Sequence, residues 1–164
     1  MALSSCNVLA NPSFETGALS PWVPSAVDVA QISTGSPVLD GEYYLNLETA
    51  VGNRGNSISQ YINGLTIGAN YTFSVQARSP NYGANYCGVF AYHGSNSTSG
   101  LLASELLFTQ DEWVELKGTY RPRHSRDVLH VGASCTFSGS SYTGHVLFDD
   151  IFLGREEGCD VVLD

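Results

Sequence analysis

An all-β fold, two antiparallel sheets packed as a sandwich, is what this sequence predicts, on three observations. Apolar and polar residues alternate with a period of two over most of the chain. Turn-forming clusters interrupt that alternation at short, regular intervals. The composition is poor in helix formers: charged residues are 14 % of the chain and Lys117 is its one lysine, while Gly (17) and Tyr (9) are abundant. At 164 residues the chain supports one domain with one core. That domain is expected over residues 7–159, with an N-terminal extension at 1–6 and a tail at 160–164.

Ten short strands are expected. The first lies at 8–10, before the Asn11-Pro12 turn, and others lie at 28–32 and 43–48. The segment 57–62 alternates and then breaks at Asn63-Gly64. The segment 70–78 places Tyr71, Phe73, Val75 and Ala77 on one face and Thr72, Ser74, Gln76 and Arg78 on the other. Residues 86–93 place Cys87, Val89 and Ala91 on one face, opposite Tyr86, Gly88, Phe90 and Tyr92. Strands at 105–109 and 113–120 follow. Residues 128–135 then set Leu129, Val131, Ala133 and Cys135 against Val128, His130, Gly132 and Ser134. The last strand is expected at 145–153.

Seven basic residues stand against sixteen acidic ones, for a formal net charge of −9. Such a field offers no footprint for nucleic acid, repels anionic membranes, tolerates neutral ligands and attracts cations such as Ca²⁺. No apolar run is long enough to span a bilayer. The opening Met1-Ala2-Leu3-Ser4-Ser5 lacks the basic and apolar regions of a secretory leader, and fits either a chain whose leader is gone or a cytosolic start.

The cysteines bear on that choice. Cys6, Cys87, Cys135 and Cys159 are too far apart in sequence for a zinc knuckle or a redox pair. Cys6 and Cys159 lie near the two termini, which tend to be close in a compact domain. Cys87 and Cys135 fall on the small, apolar faces of their strands. The pairs Cys6–Cys159 and Cys87–Cys135 are therefore expected, the alternative being four buried thiols. Disulfides imply an oxidising compartment and a secreted protein, and the sequons at Asn70 and Asn96 agree with it.

No phosphate-binding loop, dinucleotide fingerprint, HExxH or GxSxG motif occurs. His93, His124, His130 and His145 show no metal-ligand spacing, and the acidic residues fall mostly in turns or at strand ends.

Four stretches, in order, carry a family resemblance. They are 7–22, with Asn11-Pro12-Ser13-Phe14-Glu15 and Pro21-Trp22; Ile58-Ser59-Gln60-Tyr61-Ile62-Asn63-Gly64-Leu65; 68–78; and Val146-Leu147-Phe148-Asp149-Asp150-Ile151-Phe152-Leu153. The chain resembles carbohydrate-binding modules of the jelly-roll, galactose-binding-domain-like type attached to endoglucanases and xylanases, in a version like fungal extracellular ones. The resemblance implies a jelly roll with a concave glycan-binding face, and a structural Ca²⁺ joining the first strand to the last. Candidate calcium ligands are Glu15, Asp149, Ser13 and the Asp40–Tyr43 turn, with Asp150 on the other face as a weaker choice. Asp149 is expected on the inward face, in line with Leu147 and Ile151.

Neutral sugars are held by aromatic rings against their C–H faces and by polar side chains on their hydroxyls. The expected row is Tyr86, Phe90 and Tyr92, flanked by His130, Ser134, Gln76 and Arg78 where their strands are neighbours; Trp22 is either one wall of the site or a core residue, and core is the commoner place for a tryptophan. Trp113, Tyr142 and His145 are lesser candidates. The function expected is binding of neutral polysaccharide (β-glucan, cellulose or xylan) without catalysis, beside a linked catalytic domain. The alternatives are an adhesion module recognising a partner, and a cyclase or lyase using the same groove.

Overall fold

The computed structural model describes residues 6–80, 84–108, 112–139 and 141–156. Ten strands run in chain order: β1 (Val23–Pro24), β2 (Ala30–Thr34), β3 (Tyr43–Glu48), β4 (Gly55–Ile62), β5 (Tyr71–Arg78), β6 (Tyr86–His93), β7 (Leu101–Leu107), β8 (Val114–Tyr120), β9 (Asp127–Thr136) and β10 (His145–Arg155). They form two five-stranded antiparallel sheets, ordered β1-β4-β9-β6-β7 and β2-β3-β10-β5-β8.

Side-chain alternation builds the core as expected. On β5 the buried residues are Tyr71, Phe73, Val75 and Ala77; on β6 they are Cys87, Val89 and Ala91; on β9 they are Leu129, Val131, Ala133 and Cys135. Phe14, Leu45, Leu47, Ile58 and Phe148 complete the layer between the sheets, each with no exposed surface. Burying each such side chain contributes roughly 1.5–3 kcal/mol before entropy is counted.

Several boundaries differ from the sequence expectation. Residues 8–10 form no strand. Segment 7–12 instead lies beside the second half of β10, through Val8 N to Leu153 O (2.8 Å) and Ile151 N to Pro12 O (3.0 Å). Asn7 locks this seam: its side chain donates to Ile151 O (2.8 Å) and accepts from Leu153 N (3.1 Å). The segment lacks a continuous ladder because Pro12 has no N–H and Asn11 and Phe14 adopt positive φ (49° and 60°). Asp28, at φ 61°, delays β2 to Ala30. β7 begins at Leu101 and ends at Leu107, and the two-residue β1 is too short to show a period.

β10 carries an irregularity that alternation alone misplaces. Its register pairs Asp149 with Gln76 and Phe152 with Ser74, so three steps on β10 match two on β5. The extra residue is a bulge with Asp150 at φ 49°. Leu147 and Asp149 pair with Arg78 and Gln76 on the outward side of the ladder, and the bulge returns Ile151 to the core. Asp149 is thus not in line with Ile151 as expected, although it is fully buried.

Cys87 and Cys135 face each other in the β6–β9 register and are disulfide-bonded, 48 residues apart in sequence. Cys6 is also disulfide-bonded, and Cys159, its expected partner, lies outside the described residues. Closing a loop of this length stabilises by about 4 kcal/mol in the chain-entropy account. Replacing Cys87 and Cys135 together by alanine is therefore expected to lower the melting temperature by about 8–16 °C. A thermal unfolding curve monitored by circular dichroism checks this.

Candidate functional site

The outward face of β1-β4-β9-β6-β7 is built row by row from the strand register. Ser59, His130 and Tyr92 form one row. Ser57, Gly132, Phe90 and Ser104 form the next, followed by Gly55, Ser134, Gly88 and Leu106. Glycine occupies the centre of this lattice for a steric reason. A Cβ on Gly132 would lie 2.7 Å from Phe90 Cζ and 2.4 Å from Asn56 O. The Phe90 ring therefore lies over β9.

Two hollows flank that ring. One, of about 330 Å³, is lined by Asn53, Asn56, Ser57, Phe90, Tyr92 and Ser134 among others. The second, of about 510 Å³, is lined on the far side by Gly88, Phe90, Ser104, Leu106, Phe108 and Ser134. Phe90 and Ser134 belong to both. Together the hollows make a furrow running across the strands. Four inter-strand spacings of about 4.8 Å give it a span of about 19 Å.

The rings in the furrow are held in place before any ligand arrives. Tyr92 stacks on His130 (centroids 4.3 Å apart, 12° between planes) and Phe90 stacks beside Tyr92 (6.2 Å, 24°). His130 Nε2 is 3.0 Å from Gly94 O, a group that only accepts, so Nε2 carries the proton. On the rim, the Ser25 hydroxyl donates to Asn56 Oδ1 (3.0 Å) and accepts from Ser57 N (2.8 Å). Hydroxyl, amide and ring groups thus converge on one open strip, the combination that recognises a polyhydroxylated ligand.

The expected site residues divide. Phe90, Tyr92, His130 and Ser134 come together. Tyr86 is on the same face but beyond Gly88, and its ring packs against Phe108 (5.8 Å) instead of joining the stack. Gln76 and Arg78 do not flank the row. They lie on β5, in the other sheet, where Gln76 lines a separate 850 Å³ hollow with Thr72, Ser74, Lys117 and Phe152. Nothing local in β5 says which sheet it joins. Trp22 is no wall: it is 3 % exposed, packs on Phe14 and donates its Nε1–H to Asn11 O (3.0 Å). An indole with its N–H satisfied is a stable core residue. Trp113 likewise donates to Pro37 O (2.9 Å) and meets Tyr44 edge-on. Tyr142 packs on Phe137, and His145 Nδ1 lies 2.9 Å from Asn46 Oδ1 in the other sheet.

The rim residues Ser25, Asn53, Asn56, Ser57 and Phe108 were not among the expected set. Ser57 was visible in the alternation of 57–62, whereas the others lie in or beside turns, whose course pattern does not give.

A second arrangement lies where segment 7–15 meets β10. Glu15 Oε1 accepts from Glu42 N (3.0 Å) and Oε2 from Tyr43 N (3.1 Å). Its carboxylate occupies the space a side chain on Gly41 would need, 2.5 Å from that Cβ position. Ser13 Oγ donates to Asp150 Oδ1 (2.9 Å). Asp149 Oδ1 accepts from Asp150 N (2.8 Å), but the buried Oδ2 has no hydrogen-bond partner. Burial, and then the negative charges of Asp150, Glu15 and Asp40, push the Asp149 carboxyl up to about 7. Desolvation also raises Asp150.

The Asp149 carboxyl binds its proton more tightly folded than unfolded. In a chelator-treated sample its contribution to stability is complete below about pH 3.8 and is lost as pH rises through about 7. The expected result is a melting temperature that falls across that window in the wild type. The fall should be shallower in Asp149→Asn, as read by calorimetry.

A family of proteins described as carbohydrate binding domain matches residues 6–131. A comparison with curated protein sequences finds no match. Among solved structures, the chain is similar to a family 61 carbohydrate-binding module in complex with β-1,4-galactotriose (TM-score 0.67, 22 % identity, 92 % of this chain and 99 % of that one). It is also similar to the CBM22-1 xylan-binding domain of Paenibacillus barcinonensis Xyn10C (TM-score 0.63, 17 % identity, 87 % and 90 %). A third similar structure holds the CBM22-1 and GH10 modules of Clostridium thermocellum xylanase 10B with xylohexaose (TM-score 0.61, 16 % identity, 92 % of this chain but 29 % of that one). At these identities the structures speak for the jelly-roll fold, and it is the family match over three quarters of the sequence that decides membership: the chain belongs to the carbohydrate binding domain family.

Proposed function

We propose that the furrow over Phe90 holds a neutral β-linked polysaccharide of the glucan or xylan type, and that the domain binds this polymer without transforming it. The observation that carries the reading is the pair of hollows on either side of Phe90, with Ser134 common to both. A sugar chain laid across the strands meets the Phe90–Tyr92–His130 stack from above. Its hydroxyls reach Ser57, Ser134 and the rim amides. These rings are already fixed by neighbours, so little side-chain entropy is lost on binding. The neighbours solved with galactotriose and xylohexaose support this ligand class. The two-module xylanase supports a role beside a catalytic domain, where binding raises the enzyme's local concentration on its polymer. The disulfides support an extracellular setting.

The acidic seam is proposed as a Ca²⁺ site. The buried Asp149 Oδ2 without a donor is what a cation would satisfy, and nearby Glu15, Asp40 and Asp150 supply the field. No three acidic, histidine or cysteine side chains converge as a ready-made cage among the described residues. The ion therefore needs carbonyl oxygens as well, which Ca²⁺ accepts readily. Its contribution would be structural, tying segment 7–15 to β10.

Affinity electrophoresis through gels containing β-glucan or xylan tests the furrow. Phe90→Ala is expected to weaken retention at least about tenfold, a loss of ~1.4 kcal/mol. Tyr86→Ala should stay within about threefold of wild type. Equal losses in both variants would place the ligand elsewhere. Added Ca²⁺ is expected to raise the wild-type melting temperature and to leave Asp149→Asn unchanged.

A further inference from the structure

One end of the sandwich concentrates positive charge in a chain that is acidic as a whole. Arg121, Arg123 and Arg126 are three of the chain's six arginines, placed within six residues of a molecule whose net charge is −9. All three are exposed. The β8–β9 loop that carries them is held against the β4–β5 loop by Leu65 N to Ser125 O and Gly68 N to Pro122 O, both 2.9 Å. Arg121 donates to Gly68 O (3.2 Å).

Beside this loop, Tyr61 is 81 % exposed, the most open aromatic ring in the described sheets. Alternation on β4 puts it on the furrow's side of the sheet, in register with Val128. A hollow of about 480 Å³ lies over this pair, lined by Tyr61, Ile62, Asn63, Arg126, Asp127 and Val128. Asp127 shares this hollow, but its oxygens are engaged by other groups and make no ion pair with Arg126. Its Oδ2 takes the Tyr120 hydroxyl and lies 2.9 Å from His93 Nδ1, and its Oδ1 takes Val128 N. Arg126 has no ion pair among the described residues.

We infer that the Tyr61–Asn63–Arg126 hollow is a subsite for a carboxylate-bearing sugar, a uronic acid carried as a branch on the polymer whose main chain lies in the furrow. The inference rests on the furrow reading and adds a specificity to it. The guanidinium presents two parallel N–H donors that match a carboxylate. The free ring of Tyr61 offers a face to the sugar's C–H groups, and Asn63 meets its hydroxyls. Tyr61 lies four residues along β4 from the furrow residue Ser57, about 14 Å. At that distance it is reached by a side branch and not by the main chain. The same acidic protein that repels polyanions in general thus admits one negative group at one place.

The test uses a xylan bearing uronic-acid branches and the same polymer after chemical reduction of its carboxyl groups, each in affinity gels at low and at moderate salt. The wild type is expected to bind the native polymer about tenfold more tightly than the reduced one. That preference should shrink with salt and vanish in Arg126→Gln and in Tyr61→Ala. Both residues are exposed, so unchanged melting curves separate this loss from unfolding. Equal wild-type binding of both polymers, or a preference that survives Arg126→Gln, overturns the subsite while Phe90→Ala still reports on the furrow. Wild-type binding to neither polymer overturns the subsite together with the furrow reading.

Discussion

The pairing of β6 with β9 is the constraint on which the rest of the molecule depends. Because side chains alternate, fixing one residue pair across these strands fixes the side on which every other residue of both emerges. Cys87 opposite Cys135 supplies that fixed point, and it lies in the core. With the thiols inward, Phe90, Tyr92, His130 and Ser134 must emerge together, and the two glycines at 88 and 132 must open the floor between them. A slip of one residue would drive three rings into a core sized for valine and alanine. The covalent bond and the apolar faces therefore specify the same register, and the furrow is its consequence.

The second constraint is the seam between the two ends of the described chain. Segment 7–12 completes the hydrogen bonding of β10 where β3 stops, and it brings Ser13 and Glu15 alongside Asp149 and Asp150. A fully buried carboxylate oxygen with no donor is costly. Placed where four acids gather, it has no account as an element of the apolar core alone. Protonation or a cation relieves it, and the two make opposite demands on pH. The seam therefore couples the fold to pH through Asp149, and it lies apart from the furrow.

Much of this was legible in the sequence because period-two alternation survives wherever strands are regular. The inward and outward faces of β5, β6 and β9 follow directly from it, as do the core disulfide and the coming together of Tyr92 and His130. Three things were not legible, each for a physical reason. Alternation assigns a face but not a sheet, so Gln76 and Arg78 were expected beside strands they never meet. A bulge consumes one residue, so parity along β10 fails after Asp149. A lone tryptophan in a turn carries no period, and whether Trp22 turns in or out is decided by a distant acceptor, Asn11 O, and by Phe14. The arginines of the β8–β9 loop were plain in the sequence, but only the fold sets them beside Tyr61.

The most direct test of the account is to follow backbone amide resonances while a β-1,4-linked xylo- or gluco-oligosaccharide is titrated in. The account predicts shifts concentrated at Asn56, Ser57, Phe90, Tyr92 and Ser134, with Thr72, Ser74 and Gln76 on the opposite sheet unmoved. Shifts centred on that opposite sheet, with the furrow residues silent, would contradict it.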